Sequence, residues 1–501
     1  MPSKIKFFVK AFLLLPGSIV LFQNCSSPNV SKAPVIEQHA VVFPDYTDIT
    51  VPPNIAPLNF RIESEGERFF VRFVGEIGKP FSISTDKNVV IPIRKWRRLM
   101  NGKSYELHIY RKLNGNWEKF PIVTNLISAD SIDPYLTYRL VPPSYDGYSL
   151  LNIQERHLES FRVSDIINNS LTDGSCLNCH ITNQGNPDEF VVHFRAINPG
   201  TVIYKDGEFR RLNTRTSELG HPAVYPAWHP SGRFIAFATL MPTLYFNTNM
   251  TKRSLVYDLD ANLALLDLSS NTMLTSPKLK SPDPIQQTYP AWSPDGRYLY
   301  FCQSHAIDGF DTVHNVEKFL ALQFDLMRIP FDENTLAFGE IELVVDAKNL
   351  DKSASLPKIS PDGRFLIFCM TNRGTNSVWR QDSDLFLLDL QTMEWQPITI
   401  FNSPDSESYH SWSSNSRWIV FSSKVRDGLI SLPYFSYMDS DGNVSKPFLL
   451  PQRNPSFYNT FIRSFNVPEL VKGKTKVSIY NYQKAVKGPL IQVDFDWTND
   501  K

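Results

Sequence analysis

Four copies of one motif govern what this chain can fold into. The first runs from Tyr225 to Phe237 (YPAWHPSGRFIAF) and the second from Tyr289 to Phe301 (YPAWSPDGRYLYF). The third runs from Leu356 to Phe368 (LPKISPDGRFLIF) and the fourth from Tyr409 to Phe421 (YHSWSSNSRWIVF). Their starts lie 64, 67 and 53 residues apart. In each copy a Pro-Asp-Gly-like turn supplies the unusual backbone angles of a tight reversal. A β-rich apolar run follows, which reads as a buried strand. Between copies lie further strand pairs, such as Asn262 to Leu268 (NLALLDL) and Asp384 to Leu390 (DLFLLDL). About four strands per repeat of about 50 to 70 residues is the period of a propeller blade.

The "P.WSPDGR.L.F" copies resemble the repeats of TolB-type β-propellers, over roughly residues 170 to 500. The resemblance implies a mainly β chain with about six blades, two of them degenerate. One degenerate blade would hold Asn186 to Arg195 as a worn copy, then the strand Gly200 to Tyr204 and a turn at Asp206-Gly207. The last would run from Phe457 to Trp497. Seven blades is the alternative.

Just ahead of the worn copy stands Cys176-Leu177-Asn178-Cys179-His180, a CxxCH run. Two thiols at this spacing can add across the two vinyl groups of one haem, and the next histidine can ligate its iron. The expectation is one covalent haem c, attached at Cys176 and Cys179 with His180 as axial iron ligand. In exported propellers of the resembled kind a "C.NCH" segment can stand where other blades carry the Trp-Ser-Pro-Asp-Gly turn. Small cytochrome c domains differ: they are helical and supply a later methionine, whereas no Met occurs here between His180 and Met241. His193 is the candidate second axial ligand, and its plainer reading is a channel-lining or satisfied core histidine. His157, His221 and His229 are weaker candidates. A histidine in the sixth position would give an electron-transferring iron, an open one small-molecule chemistry. The other readings of the run are a redox dithiol, which would want a βαβ setting, a zinc site, which would want more ligands nearby, and no chemistry.

Three of the five cysteines remain. Cys302 and Cys369 lie in similar apolar strands and read as small buried hydrophobes, with a disulfide between them left open. Cys25 follows a lysine-bearing start (Lys4, Lys6, Lys10) and an apolar stretch from Ala11 to Phe22, too short to span a bilayer comfortably. This resembles a bacterial lipoprotein signal of the relaxed Bacteroidota type, with Cys25 lipidated. It departs from the common pattern in carrying Asn24, not a small residue, before the cysteine. The expectation is a signal peptide at 1–24, a tether at 25–45 and a membrane-anchored protein of the cell envelope.

Residues 46–150 carry no repeat. Strand-like alternation at Leu58 to Ile62 and Phe69 to Phe73, and a hairpin with an Asn114-Gly115 turn, suggest an immunoglobulin- or fibronectin-like sandwich. A short helix is expected near Ile93 to Met100, and a helical linker at 151–169. Lys plus Arg equals Asp plus Glu, 51 each, so composition gives no case for nucleic acid. The basic run Arg94 to Arg98 reads as a solvated helix face. The aspartates of the Asp295 and Asp362 turns and of Arg426-Asp427-Gly428 read as turn formers. Asp439-Ser-Asp-Gly442 matches only part of a calcium loop. No G-x-S-x-G elbow supports a hydrolase. Two functions follow. One is a haem-bearing electron-transfer or redox-sensing lipoprotein with an unidentified redox or envelope partner. The alternative is a non-enzymatic binding or scaffold propeller.

Overall fold

The computed structural model describes residues 28–143, 150–245, 255–280, 285–304 and 321–498. Cys25 and the expected signal segment lie outside them. The chain is mainly β, built as six four-stranded blades around an axis with a smaller β unit beside them.

The repeat motif builds each blade by the same local chemistry. In blade 4 the Ser293 hydroxyl donates to Asp295 Oδ1 (2.6 Å) and accepts from the Tyr298 amide (3.0 Å). Ser413 and Trp418 repeat this in blade 6 with Asn415 in place of the aspartate. An amide oxygen serves the turn as well as a carboxylate, so the degenerate copy still folds. The motif arginine then reaches the aspartate of the third strand: Arg233 to Asp267 (2.6 Å) and Arg364 to Asp389 (3.2 Å). That pairing accounts for the recurring Leu-Leu-Asp.

From the axis outward, blade 2 is Cys176–Asn183, Asn186–Arg195, Gly200–Lys205 and Glu208–Asn213. Blade 3 is Ala223–Trp228, Phe234–Tyr245, Leu255–Asp267 and Thr272–Thr275; blade 4 starts at Gln287–Trp292, blade 5 at Ser353–Ile359 and blade 6 at Glu407–Trp412. Blade 1 is composite. Its innermost strand, Ser464–Val471, comes from the far end of the chain and pairs antiparallel with Tyr135–Val141, which continues to Asn152–His157 and Val163–Asn168. The six innermost strands are neighbours in cyclic order, which closes the ring.

Two expectations on boundaries are corrected. Residues 151–169 are not a helical linker: they contain the two outer strands of blade 1, and the propeller begins at Tyr135. The buried Ile153, Ile166 and Ile167 are β-branched and fill the face toward blade 2. Nor does 457–497 form a blade of its own. After ring closure the helix Ile479–Val486 buries Tyr482 and Val486 in the core shared by blades 1 and 2. Ile491–Gln492 then runs parallel to the outer strand of blade 2, and Asp494–Trp497 parallel to that of blade 3.

The N-terminal unit has a six-stranded sheet and a three-stranded sheet over one core, with the expected helix at Ile93–Leu99. Asn114 and Gly115 both take positive φ (50° and 80°) at the hairpin turn between Ser104–Leu113 and Asn116–Lys119. Arg94, Lys95, Arg97 and Arg98 face solvent, while Trp96 is buried. This unit shares its core with blade 6 through Trp418, Phe435 and Phe448. Trp418 Nε1 donates to Asp130 O (3.0 Å) and Tyr437 Oη to Asp130 Oδ2 (2.8 Å). Cys302 and Cys369 are free thiols with no exposure, as expected of small hydrophobes. Asp439 Oδ1 accepts from the Asp441 and Asn443 amides, a turn role.

Candidate functional site

Every innermost strand breaks register at an equivalent place. The residues there are Cys179, Tyr225, Tyr289, Leu356, Tyr409 and Val467 in blades 2, 3, 4, 5, 6 and 1. Five of the six, all but Tyr409, hold φ between 44° and 53°. Such bulges bend the strand and re-aim a side chain, and here they form one ring of equivalent positions at the axis. CxxCH is therefore part of an innermost strand, and its turn equivalent is Gln184-Gly185, both at positive φ. Cys179 occupies the position of a tyrosine in three other blades, and His180 that of Pro226, Pro290, Pro357, His410 and Pro468.

A buried polar set lies at this ring. Asp258, on the strand Leu255–Asp267 of blade 3, is 2% exposed. Its carboxylate accepts from Tyr225 Oη (3.2 Å to each oxygen) and from Asn376 Nδ2 (3.3 Å). Tyr289 Oη donates to Asn376 Oδ1 (3.2 Å), and the Tyr225 and Tyr289 rings are 4.6 Å apart. Burial pushes the Asp258 carboxyl up to about 6, against the pull of these hydrogen bonds and of Arg195. The set joins blades 3, 4 and 5. Sequence reading missed it. The tyrosines heading the repeats were visible, but Asp258 and Asn376 lie outside the repeat and carried no signal.

His180 is 2% exposed, and neither ring nitrogen has a hydrogen-bond partner among the described residues. Burial, with Arg139 nearby, depresses its imidazole to about 3. His193 is also buried and depressed to about 3 by burial, then by Arg195; its Nδ1 is 3.0 Å from Thr201 Oγ1. The two do not converge. His180 pairs in register with Val192, the neighbour of His193. Adjacent strand residues point to opposite faces, so one iron between His180 and His193 is excluded in this arrangement. His157 bonds Ser160 Oγ (2.9 Å), His221 lies 3.4 Å from Asp260, and His229 is tied to Ser231 and Gly296 in a turn.

The thiols bear on the haem itself. Cys176 packs in the core with Leu151, Ile153 and Phe194. Cys179 belongs to another core, with Val224, Ala227 and Trp292, and burial raises its thiol pKa although the Tyr225 amide donates to it. In this arrangement the two thiols belong to different cores, so a haem shared between them requires Cys176–Asn183 to be arranged differently. His180 suits an iron ligand as it stands. Among the described residues no group of three or more His, Cys, Asp or Glu converges as a metal site.

No family model matches the sequence, and no curated protein is significantly similar to it. Among solved structures, TolB from Acinetobacter baumannii is similar at 12% identity and TM-score 0.42, over 76% of this chain and 85% of TolB. The periplasmic gluconolactonase PpgL of Pseudomonas aeruginosa is similar at 13% identity and TM-score 0.34, over 64% and 97%. An oligogalacturonate lyase in complex with manganese is similar at 12% and 0.33, over 61% and 70%. The blade assignment rests on the sheets and their register, not on these likenesses.

Proposed function

We propose that this chain is a non-enzymatic binding propeller of the cell envelope, which receives a small polar ligand at the ring of bulged residues around its axis. The observation that carries the reading is Asp258: a buried carboxylate near the innermost strands, which accepts from the Tyr225 phenol of its own blade and from the Asn376 amide of blade 5, itself bonded by the Tyr289 phenol of blade 4. Polar groups placed in low dielectric at a shared axis are costly to maintain and fix the orientation of a guest. The envelope address rests on the basic start, the apolar stretch and Cys25, read as a lipid anchor. A thermal-shift screen of small metabolites tests the binding. A hit whose stabilisation disappears in Asp258→Asn and Tyr225→Phe supports it, and hits indifferent to both substitutions refute it.

A second reading keeps the covalent haem c, with electron transfer to an envelope partner. What supports it is the buried His180 within CxxCH, whose ring nitrogens have no hydrogen-bond partner among the described residues, so that one is free to ligate an iron. It requires Cys176–Asn183 to be arranged differently when haem is attached. The reduced pyridine haemochrome of protein made with a c-type maturation system decides the matter. A c-type band that survives denaturation and vanishes in Cys176→Ala/Cys179→Ala establishes it; colourless folded protein removes it.

A further inference from the structure

The second and third strands of blade 3, Phe234–Tyr245 and Leu255–Asp267, are 12 and 13 residues long, whereas their counterparts are 7 and 6 in blade 5 and 6 and 6 in blade 6. The extra length begins at a bulge. Thr239 pairs with Asn262 and Met241 with Leu259, so Leu240 alone faces Asp260 and Ala261. Asp260 takes a φ of 51°. Such a bulge bends and twists a strand pair, and the Ala261 amide pins this one to blade 4 by donating to Gln286 Oε1 (2.7 Å). The two halves of the pair differ. On the near side Phe234, Ala236, Ala238, Leu263 and Leu265 have no exposure. Beyond the bulge Met241 is exposed, Pro242 and Val256 are half-buried, and Asp258 is buried.

The far half turns toward the axis. Asp258 belongs to a third strand, yet it accepts from Tyr225 Oη on the innermost strand of its own blade (3.2 Å) and from Asn376 Nδ2 in the connection after the second strand of blade 5 (3.3 Å). Asn376 Nδ2 also donates to Val256 O (3.3 Å), and Asn376 Oδ1 accepts from Tyr289 Oη of blade 4 (3.2 Å). On the other side of the ring, the Asp258 charge adds to the burial that raises the Cys179 thiol of blade 2 and the Tyr409 phenol of blade 6. A third-strand residue of one blade thus meets the bulged positions of its neighbours, so the far half of the pair lies across the ring. What holds it there is this small set of hydrogen bonds; among its described side chains, little apolar surface is buried. Segments held in this way open at a lower free energy than the core they spring from.

We propose that residues 241–245 and 255–259 form a strap across the ring, hinged at the bulge of Leu240 and Asp260 and latched by Asp258 and Val256 onto Tyr225 and Asn376, and that it lifts to let a ligand reach the bulged positions. This rests on the ring-binding reading above and adds the gate of that site. Asp258 rides on the strap, so closure over a guest brings the carboxylate onto it and opening takes the carboxylate away.

Hydrogen exchange of the native protein and labelling of its thiols by N-ethylmaleimide test this, both read by peptide mass spectrometry. In the wild type, amides of 241–245 and 255–259 should exchange several-fold faster than those of 234–239 and 262–267. Asn376→Ala removes the latch on blade 5. It should speed exchange of the far half further and leave the near half unchanged. In the same variant Cys179, at the ring, should label several-fold faster than in the wild type, while the buried Cys176, Cys302 and Cys369 keep their rates. Exchange of the whole strand pair as one unit overturns the strap. So does Cys179 labelling that stays the same in Asn376→Ala or that rises together with the other three thiols. Neither readout involves a ligand, so the strap can fail while thermal-shift hits at the ring stand, and the reverse.

Discussion

The turns of blades 4 and 5 make a controlled pair for one substitution. Gly296 and Gly363 occupy equivalent places in Ser-Pro-Asp-Gly-Arg, with φ of 74° and 77°. Alanine costs each about 1–2 kcal/mol in left-handed backbone. The surroundings differ. A Cβ at Gly363 meets nothing within 4 Å, whereas at Gly296 it lands on His229 Nε2 and lies 2.7 Å from Cε1. His229 is 3% exposed, packs edge-on to Trp292 and bonds Gly296 O (3.1 Å), so it cannot swing aside freely. Displacing it leaves a buried donor unmatched, about 1–3 kcal/mol more. Gly296→Ala should therefore be less stable than Gly363→Ala by about 1–3 kcal/mol. Urea midpoints at equal slope measure this. Equal midpoints would refute the claim that the blade interface at His229, not the turn angle, sets the cost.

Three further outcomes follow from the same kind of reasoning. Glu469 has a folded-state pKa raised to about 7 from 4.5, so its contribution is full below the unfolded value and lost as pH rises through the folded one. Glu469→Gln should gain on the wild type by up to about 3 kcal/mol between pH 4.5 and 8, with near parity at the acid end; melting curves against pH check the sign. Trp418→Ala empties a fully buried site shared by blade 6 and the N-terminal unit and deletes the bond to Asp130 O. It should cost about 3–5 kcal/mol, read by denaturant unfolding. Deleting 491–498 uncovers the outer strands of blades 2 and 3 and removes Val493, which is 4% exposed and packs in the core of blades 2 and 3. That loss is worth about 2 kcal/mol from the valine alone, and amide exchange should rise in Glu208–Asn213 and Thr272–Thr275.

The repeating blades were legible because their turn chemistry is local: in blades 4, 5 and 6 a serine, a carboxylate or amide, and a positive-φ glycine or serine within five residues. The Asn114-Gly115 hairpin was legible for the same reason. Blade 1 was not. Its strands carry no turn motif, and the partner that shows them to be strands lies in the distant Ser464–Val471, so Asn152–Asn168 looked helical in isolation. CxxCH was conspicuous, but which face each side chain takes depends on a bulge that single-residue spacing does not reveal. Asp258 carried no signal, since its surroundings come from Tyr225 and from Asn376, 118 positions away.

The composite blade also bears on how the molecule comes into being. Thr137 and Glu469, hydrogen-bonded across its innermost pair of strands, are 332 positions apart. Contacts of such sequence separation make folding slow, because the chain must be brought together before they reward it. While a growing chain waits for residue 471, Tyr135–Val141 presents an unpaired edge, the kind of surface on which strands of other molecules add. A chain cut short before residue 464 would therefore keep five whole blades and still be an aggregation hazard, and assembly is complete only when the last tenth of the polypeptide has arrived.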